Sequence, residues 1–116
     1  MENVLITRSM DFAIEIIELT KRLRGEKEFI ISSQLGRSGT SIGANIRESN
    51  YAQSRSDFIS KLQISLKEAS ETGYWVELLY RTNYISKQEF DHLEGICSEL
   101  MKMLTASINT AKQAQS

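Results

Sequence analysis

Three glycines, Gly36, Gly39 and Gly43, fall within eight residues of a segment whose other residues repeat with helical spacing. A glycine inside a helix costs about 0.8–1 kcal/mol relative to alanine. A run of three therefore implies a compensating need, and close approach of a neighbouring backbone is the simplest one. Laid out at 100° per residue, the stretch 32–49, SSQLGRSGTSIGANIRES, separates into three faces. Ile31, Leu35, Ser38, Ile42, Ile46 and Ser49 form a core stripe. Ser32, Gly36, Gly39 and Gly43 form a flank with almost no side chain, while Gln34, Arg37, Ser41, Asn45 and Glu48 form a polar flank opposite. This one helix must therefore serve a core, a tight neighbour and a polar groove.

The rest of the chain supplies the partners. It contains no proline in 116 residues, which suits long uninterrupted helices. The length allows one domain with a substantial core. A first helix is predicted over about 5–24, ending at Gly25 after the basic turn Lys21–Arg24. Leu5, Phe12, Ile16, Leu19 and Leu23 share one face of it, and Ile6, Met10, Ala13, Ile14 and Ile17 make a second apolar stripe. The glycine-bearing helix follows over about 27–51. A third is predicted over about 55–81, with Ser54 and Asp57 as a capping box. Phe58, Leu62, Ser65, Ala69, Thr72, Val76 and Leu79 line its core face, whereas Ile64, Trp75 and Leu78 lie off that face beside Glu68 and Glu71. Asn83 is suited to a left-handed helix stop. Ser86 then caps a fourth helix, 86–112, with Phe90, Leu93, Cys97, Leu100, Leu104, Ile108 and Ala111 at core spacing. Four long helices with short connections predict an all-α, antiparallel up-down-up-down four-helix bundle over 1–116. The surplus stripes, Ile6, Met10, Ile14 and Ile17 on the first helix and Ile64, Trp75 and Leu78 on the third, are candidate subunit interfaces.

Bundles of this shape often hold di-iron sites, which need two Glu-x-x-His pairs. Glu89-Phe90-Asp91-His92 matches once, but His92 is the single histidine, so a second pair cannot exist in the chain. On the helix wheel His92 also points away from the Phe90–Leu104 seam, and no Ser-His-Asp arrangement is credible with one such histidine. Cys97, the lone cysteine, falls on a core face and reads as a buried, inert thiol. The glycines match no phosphate loop, since no Gly-Lys-Ser/Thr follows them. Glu68 and Glu71, one turn apart, read as partners for Arg37, Ser41 and Asn45, with Glu48 in the same inter-helix polar cluster. No cofactor, metal or catalytic role is therefore expected.

The net charge of −1 advertises no global affinity for polyanions. Locally, however, Arg37, Arg47, Glu48 and Arg55 leave a balance of +2 between Gln34 and Arg55. Gln34, Asn45, Asn50, Tyr51 and Gln53 add hydrogen-bonding and stacking groups of the kind that contact single strands. Arg37, Arg47, Arg55 and Lys61 are the candidate phosphate contacts. Met1-Glu2-Asn3 lacks the basic region and apolar run of a signal peptide, no segment has membrane-span length, and the unpaired cysteine suits a reducing compartment. A cytoplasmic protein without a membrane partner is expected.

The motifs Ser33-Gln34-Leu35-Gly36-Arg37-Ser38-Gly39-Thr40-Ser41-Ile42-Gly43-Ala44-Asn45-Ile46-Arg47-Glu48, Ser54-x-x-Asp57-Phe58-Ile59-x-Lys61-Leu62 and Leu66-Lys67-Glu68-Ala69-x-Glu71-Thr72-x-Tyr74-Trp75 carry a further signal. With Ser9-x-x-Phe12-Ala13 they resemble a bacterial four-helix-bundle family, some of whose members are encoded inside intervening sequences of 23S ribosomal RNA genes. A related branch contains the accessory variability determinants of diversity-generating retroelements. The resemblance implies a homopentameric ring, and in the retroelement branch a surface for nucleic acid and a reverse transcriptase. The resulting expectation is a non-enzymatic, ring-forming binding or scaffold protein that contacts RNA or DNA. The alternative is a protein–protein adaptor, with a reverse transcriptase or another protein as partner and no nucleic acid.

Overall fold

The computed structural model describes residues 2–115, so Met1 and Ser116 lie outside the described residues. The chain forms α1 (Glu2–Gly25), α2 (Ile30–Ser49), α3 (Arg55–Arg81) and α4 (Lys87–Gln115), with no strand among the described residues. Their cross-contacts run in opposite order along each neighbouring pair. Gly39 meets Ile16 and Gly43 meets Ser9 between α1 and α2. Ser38 meets Thr72 and Ile42 meets Ser65 between α2 and α3. Ala69 meets Cys97 and Tyr80 meets Phe90 between α3 and α4. The result is a rod of 49 × 22 × 19 Å.

The core follows the stripes that the spacing picks out, except that Phe58 and Phe90 are half-buried while Ile59 and Ile85 are buried. Phe12, Ile16 and Leu23 of α1, Leu35 and Ile42 of α2, Leu62, Val76 and Leu79 of α3, and Leu100 and Leu104 of α4 are fully buried. Small residues decide how near the helices come. A Cβ on Gly39 would lie 2.8 Å from Ile16 Cγ2, and one on Gly43 would lie 3.1 Å from Ser9 Oγ, so α1 occupies the room that side chains at these positions would take. The facing hydroxyls of Ser9 and Thr20 donate to Ile6 O and Ile17 O of their own helix, which keeps them satisfied against an apolar neighbour. Between α2 and α3, Ser38, Ser65 and Thr72 are buried; the Ser65 hydroxyl donates to Ile42 O at 2.8 Å, and Thr72 Oγ1 lies 2.9 Å from Ser38 Oγ.

The helix ends differ from the spacing-based expectation in instructive ways. Helix α1 continues through Gly25, and the left-handed residue is Lys27, with φ 65°. The Glu28 N–H donates to Leu23 O and the Lys27 N–H to Arg24 O, the paired bonds of a Schellman stop. A helix cannot begin on a left-handed residue, so α2 starts at Ile30 and not at 27. There the Glu28 carboxylate accepts from the Ser32 N–H at 2.9 Å and serves as the cap. Asn83, φ 68°, ends α3 with the same bond pair, Tyr84 N–H to Leu79 O and Asn83 N–H to Tyr80 O. Ser54 caps α3 through the Asp57 N–H, while Asp57 reaches back to the Gln53 N–H. Ser86 caps α4 through the Glu89 N–H, but the Glu89 carboxylate binds Arg22 of α1. Helix α4 runs to Gln115, beyond the expected 112.

Candidate interaction surfaces

The polar flank of α2 opens into a groove against α3. Arg37 reaches across it, with Nη1 3.2 Å from Glu68 Oε1 and Nη2 on Glu71 Oε2. Glu71 also accepts from the Trp75 indole N–H at 3.1 Å, and Gln34 Oε1 lies 3.5 Å from Arg37 Nε. Ser41 and Asn45 stay on their own helix: the Ser41 hydroxyl donates to Arg37 O and the Asn45 amide to Ser41 O. Glu48 turns to Lys61 at 3.2 Å. The cluster is thus two separate ion-pair sets on one groove, and the hydroxyl and amide close the helical turn where a short polar side chain finds a nearer acceptor.

This arrangement redistributes the four candidate phosphate contacts. Arg37 and Lys61 are neutralised by carboxylates. Arg47 and Arg55 are exposed and, among the described residues, make no ion pair. Arg55 lines a hollow of about 370 Å³ at the α2–α3 turn with Ser49, Asn50, Ala52, Ser54 and Phe58. Arg47 borders an apolar groove of about 310 Å³ between α1 and α2, which includes Ile6, Met10, Ala13 and Ala44. That groove exists because the glycine flank brings α1 close and leaves little side chain to fill the outer crease.

The apolar stripes also become visible. On α1, Met10 is 42%, Ile14 53% and Ile17 38% exposed, with Ile6 partly buried. On α3, Ile64 is 39% exposed, while Trp75 and Leu78 are partly buried against the core. Tyr74 joins this face, 59% exposed with its ring edge-on to Trp75 at 4.9 Å. Spacing alone misses Tyr74, because the residue just before Trp75 is turned about 100° from it on the helix; its aromatic character beside Trp75 is the available signal. Phe29 and Ile30, at the start of α2, are also exposed, at 57% and 78%. A helix drawn from residue 27 places both inside its first turns and hides them.

The remaining titratable groups have structural surroundings. Cys97 is buried, its thiol donates to Ala69 O at 3.0 Å, and burial followed by the Glu94 charge pushes its pKa up to about 11. His92 Nε2 lies 2.7 Å from Glu15 Oε1 on the surface. Lys87 is held above its ordinary value by its hydrogen bond to Asp91. Among the described residues no three His, Cys, Asp or Glu side chains converge where a metal ion could sit, and no helix is long and apolar enough to cross a membrane.

Comparison with known proteins adds the family. A crystal structure of a protein of unknown function from the S23 ribosomal protein family of Bacteroides thetaiotaomicron superimposes with a TM-score of 0.91 at 50% identity, covering 93% of this chain and 97% of that one. No protein of curated function matches the chain. The family model for the 23S rRNA-intervening sequence protein matches residues 1–106. On that match, which covers α1 to α3 and most of α4, the chain belongs to the 23S rRNA-intervening sequence protein family.

Proposed function

We propose that the chain is a non-enzymatic cytoplasmic protein that works as a homo-oligomeric ring, a pentamer by its family resemblance, and binds RNA or DNA through the repeated surface of that ring. The observation that carries this reading is the unburied apolar stripe of α1, where Met10, Ile14 and Ile17 are 42%, 53% and 38% exposed. A monomeric bundle helix needs one apolar face, and α1 has a complete buried face besides this one. A second apolar face, at Ile64, Tyr74 and Trp75 of α3, supplies a different surface for a neighbouring copy. Two unlike faces on one molecule fit a head-to-tail contact, which closes into a ring when its rotation is a whole fraction of a turn. Arg47 and Arg55 are the phosphate contacts in this reading. A pair of cations on one chain binds weakly, but repetition around a ring multiplies the effect.

Two measurements test it. Light scattering at micromolar concentration is expected to give a multiple of 13.2 kDa, and a 13.2 kDa particle overturns the ring. Gel retardation of RNA or DNA is expected at low salt and is lost steeply as salt rises; no retardation at low salt removes the nucleic-acid part. The adaptor reading is favoured by a separate observation: Arg37 and Lys61 are already carboxylate-bound and the net charge is −1. In that case the ring retains one protein partner, a reverse transcriptase or another, in fixed stoichiometry after nuclease treatment.

A further inference from the structure

The α2–α3 turn presents an aromatic ring to solvent. Tyr51 is 86% exposed, well beyond Tyr74 at 59%. Its backbone is nonetheless held firmly. The Asn50 N–H donates to Arg47 O at 3.1 Å, the Tyr51 N–H to Glu48 O at 3.0 Å and the Ala52 N–H to Ser49 O at 3.2 Å. On the far side of the turn the Ser54 cap and the Asp57 back-bond to the Gln53 N–H fix the start of α3. A fixed backbone that projects a bare ring has already lost most of the entropy that a binding event would otherwise cost it. Beside it lies the hollow of about 370 Å³, whose walls offer the Asn50 amide, the Ser54 hydroxyl and the Arg55 guanidinium. Arg55 has no carboxylate partner among the described residues, and Arg47 stands one helical turn before Tyr51.

We infer that this turn is a subsite for single-stranded nucleic acid, in which an unpaired base stacks on Tyr51 and Arg55 holds the adjoining phosphate. The inference rests on the nucleic-acid reading above and narrows it to one strand state and one end of the bundle. Base faces in a duplex are covered by their neighbours, so a projecting ring gains a partner only from a splayed-out base. The Asn50 and Ser54 side chains that line the hollow then adjoin the edge of that base, and the unpaired Arg55 beside them meets its phosphate. Tyr51 and Arg55 sit at the α2–α3 turn, outside the α1–α2 groove that Arg47 shares with Ile6 and Met10, so a ring built on the stripes of α1 and α3 leaves the turn open.

The test uses fluorescence anisotropy of a short labelled oligouridine and of a duplex RNA of equal length, with the full chain at low salt. The wild type is expected to prefer the single strand. Tyr51→Ala should weaken that binding by roughly 5- to 150-fold, the range that stacking of one base accounts for, while Tyr51→Phe keeps the ring and the affinity. Arg55→Gln should lower the slope of log K against log salt by about 0.7 for each phosphate that Arg55 neutralises. Thermal melts of all variants should match the wild type, because Tyr51 and Arg55 are exposed. Equal binding of strand and duplex with no effect of Tyr51→Ala overturns this subsite and leaves the wider reading standing. Binding of neither probe overturns both.

Discussion

Gly36 and Gly39 sit on the same flank of α2, yet they bear on α1 differently. A Cβ at Gly36 would meet Thr20 Cγ2 at an ordinary 3.6 Å, whereas one at Gly39 would lie 2.8, 3.1 and 3.3 Å from three carbons of Ile16. Ile16 is fully buried and β-branched, so it has no free rotamer into which to retreat. Gly36→Ala should therefore gain up to about 1 kcal/mol of helix propensity. Gly39→Ala should lose about 1–3 kcal/mol to overpacking, larger than the gain. Urea denaturation midpoints for the two variants would move in opposite directions, and equal shifts would contradict the close-approach account. Cys97 provides a second residue-scale test. Its folded pKa, about 11, is raised above the ordinary 9.0, so between those values the unfolded chain holds fewer protons than the folded one. Stability contributed by this group is then complete below about pH 9 and declines as pH rises toward 11, by about 1.4 kcal/mol per unit at most. Comparison with Cys97→Ala isolates that slope from the lysines and tyrosines, and the variant's stability curve should be flatter over this window. The glycine flank and the buried thiol were both legible from spacing alone. The choice of Ser41 and Asn45 to bond within their own helix was not, because it depends on which acceptor lies nearest after the helices have docked.

At the scale of elements, spacing located all four helices, and their ends depended on chemistry of unequal visibility. Asn83 advertises a left-handed stop, and Ser54 and Ser86 advertise caps; Lys27 advertises nothing, since a lysine at φ 65° is held there by the Schellman bonds and not by its own preference. Equally hidden were the contacts that join α1 to α4. Arg8–Glu99, Glu15–His92 and Arg22–Glu89 bridge those two helices on the surface, and nothing local in the sequence pairs residues so far apart. The α2–α3 seam is keyed differently, by buried hydroxyls. A hydroxyl has one proton, so when Thr72 donates to Glu68 O at 2.8 Å its 2.9 Å contact with Ser38 must use the Ser38 proton. Thr72→Val preserves shape but strands Ser38, whose other acceptor, Leu35 O, is 3.5 Å away. The expected cost is about 1–3 kcal/mol. Adding Ser38→Ala should recover part of it, because removing both partners leaves no unmet polar group. A double-mutant cycle with additive effects would show that the two hydroxyls do not work together.

For the whole molecule, the decisive property is that its two surplus apolar faces are unlike. An isologous dimer uses one face twice, whereas a head-to-tail ring uses the face of α1 on one copy and the face of α3 on the next. Substituting one face therefore has different consequences in the two geometries. In the head-to-tail ring, Ile14→Glu removes the α1 face and leaves the α3 face intact, and Ile64→Glu does the reverse. Each variant alone should run as a 13.2 kDa monomer with its helicity retained, since neither side chain belongs to the buried core, at 53% and 39% exposure. Mixed together, each still owns the face the other lacks. One Ile64→Glu copy offers its α1 stripe to the α3 stripe of one Ile14→Glu copy, and growth stops there because both remaining faces are damaged. Light scattering of the mixture should then report two chains, about twice 13.2 kDa, and no larger ring. A self-complementary interface on α1 would instead let the Ile64→Glu variant dimerise by itself.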